Sequence, residues 1–215
     1  VYKATSTSEL IEKGQLADFK IKCLILKYPD PICKLARDWD YNQEIEYIVT
    51  NKARNDFIRN LVLSLKGNSL ILFQFVEKHG KDLYSNIKQF SKNRHVFFVF
   101  GGTDVEVRES IRAITEKEKD AIIVASYGTF STGVNIRNLH NVIFASPSKS
   151  RVRNLQSIGR GLRLREGKTH CNLFDIADDL QRKSWKNHTL NHAAERYKTY
   201  AEEEFKLKIV EVELC

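Results

Sequence analysis

Ala121-Ile122-Ile123-Val124-Ala125-Ser126-Tyr127-Gly128-Thr129-Phe130-Ser131-Thr132-Gly133-Val134-Asn135 begins as an unbroken apolar run and ends in small and hydroxyl residues. A run that is apolar at every position suits a strand covered on both faces, because a strand with one wet face would alternate. The residues after it allow close backbone approach and offer N–H and O–H donors. That suits an anion held at the carboxyl end of a strand. The same composition also makes an ordinary Gly/Ser/Thr turn, so the segment alone leaves both readings open.

Working outward, residues 21–26, 69–76, 95–100, 141–145 and 170–176 are further short apolar runs. Helical patterns lie between them. Residues 55–65 place Phe57, Ile58, Leu61, Val62 and Leu65 at helix spacing. Residues 104–117 follow Thr103-Asp104-Val105-Glu106, which reads as a capping box, and should bury Val107, Ile111 and Ile114. Residues 190–205 place Leu190, Ala193, Ala194, Tyr197, Ala201 and Phe205 on one face, and a last strand at 207–214 is expected at a sheet edge. Strands alternating with helices predict an α/β fold built on a parallel sheet with crossover helices. Residues 28–45, with Pro29, Pro31 and mixed charge, read as an irregular insertion.

Downstream of the opening run stands Gln156-Ser157-Ile158-Gly159-Arg160-Gly161-Leu162-Arg163. On a helix, Gln156, Arg160 and Arg163 share a stripe roughly 60° wide, beside an apolar stripe of Leu155, Ile158 and Leu162. Two permanently charged planar forks one turn apart suit a multiply charged phosphate. A basic helix face is usually just solvated. Gly159 and Gly161 weaken a helix, however, and a solvated face has no need of them.

The chain has 215 residues, 42% of them hydrophobic, enough for one sizeable core. A net charge of +8 favours an anionic partner, nucleic acid first. No segment has the apolar length of a membrane span, and none reads as a secretory signal. Cys23, Cys33, Cys171 and Cys215 lack metal-site spacing and read as reduced thiols, some of them buried. The chain starts at Val1 and contains no Met, so it reads as a piece of something longer.

The order strand, hydroxyl-rich loop with Gly133-Val134-Asn135, strand, then Gln156-x-x-Gly159-Arg160-x-x-Arg163 resembles motifs V and VI of superfamily 2 helicases. Leu70-Ile71-Leu72-Phe73 with His79-Gly80-Lys81 resembles motif IV, and Phe100-Gly101-Gly102-Thr103 resembles the next loop of that family's second lobe. The stretch from Ser8 to Leu16 resembles the entry from a first lobe. Within the family the chain is most similar to phage UvsW-type repair and recombination helicases.

The resemblance implies a RecA-like parallel sheet with helices on both faces, in three layers. Residues 1–20 would be an entry arm from a missing first lobe, and residues 21–215 the C-terminal lobe. It implies ATP and Mg2+, both held mainly by that first lobe. Arg160 and Arg163 would reach the γ-phosphate, Gln156 would orient water or phosphate, and Gly133, Asn135 and Gly159 would line the nucleotide. Many relatives carry Asp where this chain has Asn135, so that contact loses its charge. Lys81, Gly101, Gly102, Thr103, Ser126, Tyr127, Gly128 and Thr129 would meet the nucleic-acid backbone. The implied partners are DNA, single-stranded or branched, and the N-terminal lobe. The implied setting is cytoplasmic, that of the host if a phage encodes it.

Two look-alikes fail on context. Gly167-Lys168-Thr169 lacks the upstream glycine of a P-loop and enters a strand instead of leaving one. Asp175-Ile176-Ala177-Asp178-Asp179 lacks the adjacent Asp-Glu pair of a magnesium-binding box. The basic residues Arg182, Lys183, Lys186 and His188 around Trp185 read either as a stacking and phosphate patch or as a cap on the core. Two other functions fit the same residues: a nucleic-acid-binding module without catalysis, and a duplex translocase that does not separate strands.

Overall fold

Every strand pairing among the described residues is parallel. A computed structural model describes residues 18–131, 136–147 and 170–214. The strands are β1 (Asp18–Lys27), β2 (Ser69–Phe73), β3 (Val96–Val99), β4 (Ile122–Ser126), β5 (Asn141–Phe144), β6 (His170–Asp179) and β7 (Lys206–Glu213). They form one sheet in the order β3-β4-β2-β5-β6-β1-β7.

The helices are α1 (Asp30–Ala36), α2 (Tyr41–Thr50), α3 (Lys52–Ser64), α4 (Lys81–Phe90), α5 (Val105–Lys117), α6 (Tyr127–Ser131) and α7 (His188–Glu202), with a π-helical turn at Val76–Gly80. Successive strand residues face opposite sides, so the apolar runs feed two cores. Leu70, Leu72, Ile123, Ala125, Val142 and Phe144 join Ile111 of α5 and Tyr200 of α7 on one side. Ile71, Phe73, Ile122, Val124 and Ile143 join Cys33, Ile48, Ile58, Val62, Leu83 and Ile87 of α1 to α4 on the other. The result is the expected three-layer α/β fold.

Residues 28–45 are not irregular. Pro31 lies in the first turn of α1, where its missing N–H costs nothing, and Asp40 with Gln43 forms a reciprocal capping box that starts α2. The capping box expected at Thr103 does not form: Asp104 is the N-cap of α5 and makes no side-chain cap bond. The Thr103 hydroxyl is taken instead by the Phe100 amide, which donates to it at 3.0 Å. α5 buries Ile111 and Thr115, while Val107 and Ile114 stay 47% and 41% exposed. It lies at the narrow β3–β4 margin of the sheet, which covers only one line of its side chains.

On α7 the buried stripe is Thr189, Ala193, Arg196 and Tyr200, and Ala194 and Ala201 are exposed. The apolar count caught Ala193, Tyr197 and Phe205, which meet the core, but missed Thr189, Arg196 and Tyr200, because the strand beneath carries a charge. Asp175 of β6 is fully buried, and Arg196 meets it with two bonds of 2.9 Å while the Tyr200 hydroxyl donates at 2.8 Å. A buried carboxylate needs such partners, so the helix turns its arginine inward.

The start of α7 is held from outside. Its N-cap Asn187 makes no side-chain cap bond, and the buried Glu44 of α2 accepts from the amides of His188 (2.9 Å) and Thr189 (2.7 Å), the Thr189 hydroxyl (2.6 Å) and Asn187 Nδ2 (2.8 Å). A carboxylate at a helix N-terminus satisfies orphan amides and opposes the helix dipole. Glu44→Ala strands these donors and is expected to cost about 2–4 kcal/mol, read as a lower urea midpoint with an unchanged slope.

Candidate nucleic-acid interface

The sheet's register brings four strand exits to one level. Val99 of β3 pairs with Ala125 of β4, Ser126 with Phe73 of β2, and Leu72 with Phe144 of β5. The segments beginning at Phe100, Tyr127, Gln74 and Ala145 therefore leave side by side at the carboxyl edge, where open parallel sheets bind ligands.

The first exit is a tight turn. The Thr103 amide donates to Phe100 O at 2.9 Å, and Arg108 Nε donates to Thr103 O at 2.9 Å. Gly101 and Gly102 are exposed, and a Cβ at Gly101 would have nothing within 4 Å. At the second exit, the Ser126 and Thr129 hydroxyls lie 2.8 Å apart, and the Thr129 amide donates to Ser126 Oγ at 3.4 Å. Both side chains are buried, so they hold the turn together and do not face solvent. Tyr127 packs edge-on against Phe144 and donates its hydroxyl to Ser146 O at 3.1 Å. Gly128 is exposed, with open space where a Cβ would stand. The surface offered here is backbone, at Gly101, Gly102 and Gly128.

Lys81 opens α4 beyond the third exit and pairs with Glu77 one turn earlier at 2.7 Å, with its side chain 52% exposed. An exposed pair of this kind is worth about 0–1 kcal/mol, so it yields easily to a phosphate. Gln156, Gly159, Arg160, Arg163, Gly133 and Asn135 lie outside the described residues.

Beneath these exits lies a polar layer that the sequence reading missed. Arg54, from the first turn of α3, is fully buried and grips Asp178 of β6 through Nε (2.7 Å) and Nη2 (3.0 Å), while the Tyr28 hydroxyl donates to Asp178 at 2.9 Å. His79, also fully buried, sits between Ser146 Oγ at 2.9 Å and Asn55 Oδ1 at 3.2 Å. Burial, and then the nearby Arg54 charge, push its pKa down to about 3. These residues carry no periodic signal. The one local hint was Asn51, whose side chain accepts from the Arg54 amide and so starts α3 three residues before the expected position.

The acidic look-alike is settled by its buried ion pairs, one on each face of the sheet. Asp175 and Asp178 each bond an arginine and a tyrosine, so neither is available to a metal. Among the described residues no cluster of three His, Cys, Asp or Glu side chains could hold a metal ion. Gly167-Lys168-Thr169 lies outside the described residues. Burial, followed by neighbouring Asp175, pushes the Cys23 thiol up to about 12, so it stays protonated and inert. Trp185 packs against the core, its backbone pairs with that of Arg182, and Arg182 bonds Asp30.

Residues 53–165 match the helicase conserved C-terminal domain family, and the chain belongs to that family. It is 36% identical over 219 residues to the ATP-dependent DNA helicase uvsW of Enterobacteria phage T4, covering 95% of this chain and 43% of that protein. The crystal structure of T4 UvsW superposes with a TM-score of 0.81 at 32% identity, over 99% of this chain and 43% of that one. The DNA-bound Type ISP restriction-modification enzyme LlaBIII shares the fold at a TM-score of 0.62 and 16% identity, over 99% of this chain and 17% of that one. The chain thus spans less than half of the curated helicase it matches.

Two predictions follow from this geometry. Gly101→Ala and Gly128→Ala add a methyl to open space and should leave the thermal midpoint within about 1 °C of wild type, whereas Gly80→Ala drives a Cβ to within 2.5 Å of the Phe73 ring and should cost about 1–3 kcal/mol. Between pH 6.5 and about 3 the unfolded chain takes up a proton at position 79 that the folded chain refuses. Stability should therefore fall as pH drops through that window, and His79→Asn should flatten this part of the stability–pH curve.

Proposed function

We propose that this chain is the C-terminal motor lobe of an ATP-dependent DNA helicase or translocase that works in repair, recombination or remodelling of forks and branches. The observation that carries this reading is the likeness to the phage T4 DNA helicase across 95% of the chain. The exposed backbone at the carboxyl edge supports it further, since Gly101 and Gly128 let a phosphodiester chain approach without a side chain in the way.

The described residues fit a nucleic-acid backbone but not a metal ion. The buried aspartates are already neutralised and the exposed carboxylates do not cluster. The family likeness puts Mg2+ with the partner lobe, where it would neutralise phosphate charge. This chain's share of ATP chemistry is cationic: Arg160 and Arg163 close on the γ-phosphate, and Gln156 orients the attacking water. Gly133, Asn135 and Gly159 lie along the nucleotide, with Asn135 offering an amide to a ribose hydroxyl. Lys81, the loop from Gly101 to Thr103 and the loop from Ser126 to Thr129 track one DNA strand, the last mainly through its amides. Closing and opening of the two lobes then turns hydrolysis into steps along DNA.

In the complete two-lobe protein, Arg160→Ala and Arg163→Ala should each lower DNA-stimulated ATP hydrolysis by about 10³-fold or more. Hydrolysis at the wild-type rate would sink the arginine assignment. The chain on its own should show no ATP turnover in a phosphate-release assay. A strand-displacement assay set beside a triplex-displacement assay then separates a helicase from a duplex translocase.

A further inference from the structure

Ser146, fully buried just past β5, joins three of the four strand exits. Its hydroxyl meets the Gln74 amide beyond β2 at 3.0 Å and His79 of the π-helical turn at 2.9 Å, and its carbonyl accepts from Tyr127 beyond β4 at 3.1 Å. Donor chemistry fixes the direction of each bond. Asn55 spends its Nδ2 on Val49 O at 2.9 Å, so its Oδ1 accepts and His79 Nε2 must carry the proton. Nδ1 of the neutral ring is then an acceptor, the Ser146 hydroxyl donates to it, and that hydroxyl in turn accepts from Gln74.

We propose that His79 and Ser146 are positioning residues that couple nucleic acid on the β4 loop to phosphate chemistry at Gln156, Arg160 and Arg163. The inference rests on the motor-lobe reading above. A buried network with one consistent donor order has few alternative arrangements, so a displacement at Tyr127 is passed on and not absorbed. Tyr127 adjoins Gly128, the exposed backbone of the β4 loop, and Lys81 begins two residues after His79. Ser146 is where the chain leaves β5 on its way to the arginine-bearing segment. The bond to Ser146 carries the coupling, and the bond to Asn55 only anchors the ring.

Two isosteres separate these roles. His79→Asn places an acceptor near the Nδ1 position and abandons Asn55, while His79→Gln reaches Asn55 and abandons Ser146. The complete two-lobe protein is assayed for ATP hydrolysis with and without a saturating single-stranded oligonucleotide, and for thermal unfolding. Both variants should unfold at similarly lowered temperatures. His79→Asn should keep the wild-type ratio of stimulated to basal hydrolysis, whereas His79→Gln and Ser146→Ala should lower it about tenfold with basal hydrolysis within about twofold. A role in folding alone would move both ratios together, following the unfolding temperature. Equal ratios in His79→Asn and His79→Gln, or an unchanged ratio in Ser146→Ala, would overturn the coupling. Arg160→Ala in the same preparation keeps the two readings apart: full activity there removes the arginine assignment, while an inactive Arg160→Ala beside an unchanged ratio in His79→Gln removes the coupling alone.

Discussion

A parallel sheet covered on both faces has no wet side, so a charge on one of its central strands must be neutralised inside the protein. β6 carries two such charges, Asp175 and Asp178. They point to opposite faces, and each fixes the layer above it. Asp175 sets the rotation of α7 through Arg196 and Tyr200, while Asp178 sets the first turn of α3 through Arg54 and the start of α1 through Tyr28. Taking one partner from a buried pair of this kind costs about 3–5 kcal/mol, whereas replacing the whole pair by matched apolar residues is often neutral. The pairs therefore specify geometry more than they add stability. Each helix docks in the one rotation that brings its arginine to the carboxylate.

The carboxyl edge depends on that placement. Because Arg54 is buried in the first turn of α3, its neighbour Asn55 faces the π-helical turn and can hold His79. His79 holds Ser146, and Ser146 ties the exits of β2 and β4 to the end of β5. The backbone displayed at Gly128, next to Tyr127, thus rests on a bonded polar layer, as a surface meant to register a phosphate chain requires.

The strands were legible in the sequence because burial on both faces writes a continuous apolar run, and each expected run overlaps an observed strand, though the one at 69–76 continues past β2 into the π-helical turn. The edge position of β7 was legible too. What escaped was whatever polar side chains decide. The stripe on α7 was read from Leu190, three alanines, Tyr197 and Phe205, of which Ala193, Tyr197 and Phe205 do meet the core, but Arg196 governs it. Residues 28–45 looked irregular because two prolines outweighed Asp40 and Gln43, whose spacing is a helix start. Thr103 looked like a cap, yet the turn after β3 uses its hydroxyl first. In the site, Ser126 and Thr129 were read as hydroxyls on offer, but they bond each other. Composition shows that donors are present; only geometry shows which are already spent.

The π-helical turn itself is explained by the same layer. Such a turn is rare, and its i→i+5 bond is made here by the Gly80 amide to Phe75 O at 2.8 Å. It sits directly on the Phe73 ring, so closely that only glycine fits at position 80. What the wider turn achieves is burial of His79 beneath the strand exits, with both ring nitrogens bonded. A conformation disfavoured in itself persists only where its surroundings over-determine it, and such conformations gather at functional sites. Here the over-determining groups are Asn55, Ser146 and the Phe73 ring.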